Sequence, residues 1–191
     1  MHEVTRTLTT HYEACLAQHG ATVQGMDWGD NTARLMTRFD AICRAIGLNE
    51  HRRQISVRDA GCGCGLLLDH FNKRWQDRVT YVGIDASTNM IDAARSRHPR
   101  ATWIIGDIVE ATPSLKADWV VANGLLTEKR DISHERMVQY AKAVLVAMFN
   151  HCQRGICFNV LSSHVNFCDD VLFYWDPGDV LTFCTRHLSR H

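Results

Sequence analysis

Residues 57–66 read Val-Arg-Asp-Ala-Gly-Cys-Gly-Cys-Gly-Leu, and no other stretch of the chain limits its fold so narrowly. An apolar entry, an acid at Asp59 and alternate glycines at Gly61, Gly63 and Gly65 describe a strand that stops abruptly and becomes a helix at Leu66. Glycine is required where a turn takes positive φ or where a ligand lies against bare backbone. About twenty residues further on, the spacing of one βαβ unit, the short apolar run Tyr81-Val82-Gly83-Ile84 ends in Asp85. Two parallel strands that finish side by side would set this carboxylate next to the glycine turn, where the ribose hydroxyls of a bound nucleoside would lie.

The remaining periodicity supplies strands alternating with helices. A helix is expected over residues 2–19, and a second after Asp30 or Asn31 with Leu35, Phe39, Ile42 and Cys43 at helical spacing, closed by Gly47. Leu67, Phe71 and Trp75 mark the apolar face of the helix leaving the glycine turn. Ser87 or Thr88 caps another that stops before Pro99. Strands are expected at 102–105, ending at Gly106-Asp107, at 118–122, ending at Asn123-Gly124, and at 156–160, opened by Gly155. Between the last two lies a helix capped by Ser133, and a final helix has Asp176 as cap, Pro177 at its first position and Val180, Leu181 and Cys184 facing inward. Such alternation predicts an α/β fold with a doubly wound, mostly parallel sheet. At 191 residues it is expected to form one compact domain, residues 1–50 being a helical cap and 51–191 the α/β core.

The glycine spacing separates two ligand classes. Dinucleotide folds use G-x-G-x-x-G, with pyrophosphate on the helix N-terminus. Here the third glycine comes one residue early and Leu66 takes the place that pattern reserves for glycine. With Asp59 ahead of the first glycine, the run resembles the D-x-G-C-G-x-G signature of class I S-adenosylmethionine (SAM) dependent methyltransferases. That resemblance implies a Rossmann-like sheet of order 3-2-1-4-5, SAM as methyl donor and S-adenosylhomocysteine as product. The family normally adds an antiparallel hairpin after the fifth strand. No such hairpin is expected here, which would leave the fifth strand as an open edge for a second copy or another partner to cover.

The resemblance also implies roles at matching positions. Asp85 would accept the ribose hydroxyls, with Ala86 and Met90 beside it. Asp107 would accept from the adenine amino group while the Ile108 amide pairs with a ring nitrogen. Gly61, Cys62 and Gly63 would place backbone near the aminoacyl part, and the SAM ammonium would tolerate Asp59. Asn123 stands on the same rim. Tyr12, Trp28 and Arg38 look like lid elements, aromatic faces for the cationic sulfur or ammonium and a guanidinium for the carboxylate. Methyl transfer needs alignment of acceptor and sulfonium more than acid–base chemistry. If the acceptor must lose a proton, His164 is the expected base, with His134, Asn159, Asp169 and Asp170 as further residues on the acceptor side.

Charge and composition narrow the partners. Lys plus Arg equals Asp plus Glu at 21 each, with no basic block, which argues against nucleic acid and for a small-molecule acceptor. Eight cysteines show no C-x-x-C pair, so reduced thiols, no metal and a cytoplasmic location are expected. No run reaches the roughly 18 apolar residues of a membrane span. Two other readings remain: a non-catalytic SAM-binding module that needs a partner, and a NAD-dependent oxidoreductase, against which Leu66 argues.

Overall fold

The computed structural model describes residues 3–49, 53–75, 78–112 and 116–190. Its elements in chain order are α1 (Glu3–His19), a 3-10 turn (Gln24–Met26), α2 (Thr32–Ala45), β1 (Ile55–Ala60), α3 (Leu66–Trp75), β2 (Val79–Asp85), α4 (Thr88–Arg97), β3 (Thr102–Ile105), β4 (Ala117–Leu126), α5 (His134–Asn150), β5 (Cys152–Ser162), β6 (Tyr174–Trp175) and α6 (Pro177–His187). The strands form one sheet in the order β3-β2-β1-β4-β5-β6, and every pairing within it is parallel.

The helices start where their caps dictate. Asn31 accepts the Arg34 amide, Ser87 the Met90 amide and Ser133 the Arg136 amide, while Asp176 accepts from both Gly178 and Asp179 with Pro177 at the first position. Each cap occupies a group that the first helical turn would otherwise leave unsatisfied. The expected helical start at His2 and the expected boundary between residues 50 and 51 fall outside the described residues.

Alternation along the strands sends successive side chains to opposite faces. Val120 and Ala122 join Ala60 and Ile84 in a cluster with Val4 and Leu8 of α1 and with Met137, Val144, Leu145 and Met148 of α5. Val121, between them, points the other way and joins Val57, Tyr81 and Trp103 with Phe39 of α2, Phe71 of α3 and Ile91 of α4. The first two helices are therefore built into the same two clusters as the sheet.

Four sequence expectations are corrected. Strand β4 does not stop at Asn123-Gly124 but runs to Leu126. Its register against β5 shifts between Ala122 and Leu126, and Gly124 takes a positive φ of 88°. Strand β5 opens at Cys152, three residues before Gly155, because Gly155 is an interior position where the Trp119 ring crosses: a Cβ there would stand 2.7 Å from the ring. The fifth strand is not left as the open edge that was expected: β6 pairs with it in parallel at Leu161 and Ser162. In α6, Val180 and Cys184 pack on the core but Leu181 is 65% exposed, since the helix lies on the rim with none of its residues buried.

Candidate functional site

A cavity opens at the carboxyl ends of β1, β2 and β4, beside the point where the sheet order reverses, which is where open α/β sheets bind ligands. It encloses about 990 Å³ free of protein atoms, its mouth included. The turn after β1 forms its floor. Gly61 and Cys62 donate their amides to the Ile84 carbonyl at 2.9 and 3.1 Å, and Gly63 donates to Asp85 Oδ2 at 2.8 Å. Gly63 must be glycine on two counts: its φ is 52°, and a Cβ would come within 2.6 Å of the Met26 sulfur. The turn is thus fastened to the tip of the next strand through the carboxylate that the sequence singles out.

The acids differ in what they hold. Asp85 also takes the Ser87 amide at 2.9 Å; burial raises its carboxyl above the usual range and the two amides pull it back. Asp59 accepts the Tyr81 hydroxyl at 2.6 Å, yet burial pushes its carboxyl up to about 7. Asp107 accepts the Val109 amide at 2.9 Å with one oxygen and the Thr5 hydroxyl with the other. A carboxylate oxygen has two lone pairs, so each acid keeps capacity for a ligand.

Of the residues selected from sequence, Tyr12, Trp28, Asp59, Gly61, Cys62, Gly63, Asp85, Ala86, Met90, Asp107, Ile108 and Asn123 all line this cavity. Arg38 does not line it but lies behind Trp28, its guanidinium 4.6 Å from the ring centroid. Burial and the nearby Glu128 and Asp27 carboxylates raise the Tyr12 hydroxyl. Asn123 lines the cavity, and its Oδ1 is buried with no hydrogen-bond partner.

His164 is elsewhere. It follows β5 on the exposed rim, bonds Asp176 Oδ2 at 2.9 Å, and is absent from the cavity lining, as are His134, Asp169 and Asp170. Asn159 is structural in the free protein, taking the Gly124 amide at 2.8 Å. Sequence reasoning missed Thr5, Leu8 and Thr9, which with Tyr12 make one wall. Their spacing of three, four and seven along α1 could have found them.

A parallel sheet of this order, with a glycine turn and a strand-end acid at its switch point, is the Rossmann-like fold of class I methyltransferases. A family model described as a methyltransferase domain matches residues 57–147. The Mycobacterium tuberculosis protein Rv1506c, provisionally named as a methyltransferase, is 32% identical over 138 residues, covering 71% of this chain and 81% of its own. The trans-aconitate 2-methyltransferase of Rhodopseudomonas palustris is 38% identical over 81 residues, but the match spans only 30% of that enzyme. Magnesium protoporphyrin IX methyltransferase from Synechocystis, solved with bound SAM, shares the fold at a TM-score of 0.71 and 13% identity, over 97% of this chain and 86% of that one. The chain belongs to the methyltransferase family, and its fold is that of the class I SAM-dependent enzymes.

Proposed function

We propose that the protein moves the SAM methyl group to a small organic acceptor, with the cavity lining divided between the two. The donor set suits SAM. Glycine amides and bare backbone suit an aminoacyl chain better than a phosphate, and no lysine, arginine or histidine is among the described lining residues. The orphan Asn123 Oδ1 suits a ligand N–H such as an ammonium. Bound SAM supplies an electrophilic methyl on a cationic sulfur. The chain's part is to bind, orient and keep out water.

In this reading Asp85 accepts the ribose hydroxyls, and Ala86 and Met90 pack beside them. Asp107 and the Ile108 amide hold the adenine edge. Gly61, Cys62 and Gly63 run along the aminoacyl chain, with Asp59 and Asn123 drawn to its ammonium. Arg38, outside the cavity, backs the Trp28 ring that lines it, and Tyr12 covers the sulfur. The observation that carries the assignment is Asp85, whose carboxylate both fastens the glycine turn and faces the cavity. A small acceptor is supported by the cavity size and by the trans-aconitate relatives, whose name specifies a small organic acid. His164 has no part in it.

Isothermal titration with SAM, S-adenosylhomocysteine and NAD tests this directly. Saturable binding of the first two and none of NAD is expected. Binding of NAD alone would replace the donor and the reaction with it.

A further inference from the structure

His11 and Cys15 stand four residues apart on α1, which puts both side chains on one face. Their donor atoms, Nε2 and Sγ, are 3.8 Å apart. Asp27 ends the 3-10 turn in the left-handed conformation, φ 58°, and brings Oδ2 to 2.7 Å from the same nitrogen. The three donor atoms lie within 4.8 Å of one another. Zinc bonds of about 2.3 Å to sulfur and about 2.0 Å to nitrogen, held tetrahedrally, set those two ligands about 3.5 Å apart. Thiol and imidazole are thus already near ligand spacing, and Asp27 has only to relax from a hydrogen-bond distance. Nearby, Glu128 is paired with Arg130 at 3.4 Å. Thiolate, imidazole and one carboxylate form a borderline-soft set, suited to zinc rather than to magnesium or calcium.

We propose that His11, Cys15 and Asp27 form a zinc site that clamps α1 to the 3-10 turn over the mouth of the SAM cavity. The fourth position falls to water. The clamp follows from neighbours in the chain: Tyr12 adjoins His11, and Met26 and Trp28 flank Asp27, and all three line the cavity. Fixing the ligands fixes that wall. By linkage, zinc then tightens SAM binding by the same factor by which SAM tightens zinc. The clamp rests on the SAM assignment above, whereas the metal site does not.

Cobalt(II) titration of the purified protein tests the site without any ligand. One equivalent should bind with a sulfur-to-cobalt charge-transfer band that zinc displaces. The band should vanish in Cys15→Ser and His11→Ala and persist in Cys168→Ser, which removes an exposed thiol. Isothermal titration should then show SAM affinity about 5- to 10-fold higher with zinc in the wild type and unchanged in Cys15→Ser. Absence of the band from the wild type, or a band lost in Cys168→Ser instead, overturns the site. A wild-type SAM affinity indifferent to bound zinc overturns the clamp.

Discussion

Tyr81 on β2 donates its hydroxyl to Asp59 on the neighbouring β1 at 2.6 Å, so that one strand's phenol satisfies the other strand's buried acid. The bond lowers the Asp59 carboxyl, but burial outweighs it and holds the group near pH 7. A carboxyl raised on folding favours the protonated native state. Its stabilising contribution is complete below about 4 and is lost as pH rises through about 7. Urea unfolding of wild type and Asp59→Asn across this window should show the wild type losing relative stability as pH rises. A difference that does not change with pH would mean that Asp59 stays ionised in the folded protein.

Asp85→Ala removes an acceptor from the cavity and, at once, the bonds from the Gly63 amide of the glycine turn and the Ser87 amide at the start of α4. Loss of charge-assisted bonds to a ligand costs on the order of 3 kcal/mol, about a hundredfold in SAM affinity. Asp85→Asn keeps an oxygen for one of the two amides and should recover part of the lost stability without recovering most of the affinity. Calorimetry and thermal melting read the two effects separately. Unchanged SAM binding in a folded Asp85→Ala protein would remove this residue from the ribose site.

Asn123→Ala offers an unusual sign. Truncating a buried side chain is normally destabilising, but the Asn123 Oδ1 has no partner to lose, so removing it relieves an unpaired polar atom. The variant should melt within about 0.5 kcal/mol of wild type. It should bind SAM about 1–2 kcal/mol more weakly. A large stability loss with intact binding would mean that this oxygen serves the fold rather than the ligand.

Gly83, inside β2, has no room for a methyl group. A Cβ would lie 2.5 Å from the Trp103 ring and 2.8 Å from the Cys62 sulfur. Gly83→Ala should therefore cost about 1–3 kcal/mol by chemical denaturation. It should also disturb SAM binding, because Cys62 belongs to the glycine turn. A neutral substitution would show that Trp103 repacks freely.

His164→Ala should leave SAM affinity unchanged and shift stability by less than about 0.5 kcal/mol. Its imidazole bonds an exposed carboxylate on the rim, so little is lost with it. A clear fall in SAM affinity, measured by the same calorimetry, would bring the β5 loop back to the cavity.

Local chemistry explains what the sequence made legible. The turn at 61–65, the caps at Ser87, Ser133 and Asp176, and the acids that close β2 and β3 are decided by residues within a few positions of each other, so spacing alone exposes them. The α1 wall was missed because Thr5, Leu8 and Thr9 show their purpose only once α1 is laid against the strand tips. His164 misled because a histidine just past a strand end looks like a mouth residue until β6 and α6 draw that loop outward. Gly155 reads as a turn signal in one dimension and as clearance for Trp119 in three. The His11, Cys15 and Asp27 cluster escaped for a similar reason, since its third member arrives only after the chain has reversed through the 3-10 turn.

The bond from Thr5 to Asp107 has a practical side. Thr5 lies in the opening turn of α1, and Val4 beside it is buried to 1% exposure in the main core. An affinity tag or linker fused ahead of α1 would end within one helical turn of a hydroxyl that touches an acid of the cavity wall. Ligand constants measured on tagged protein should accordingly be repeated after cleavage before any two preparations are compared.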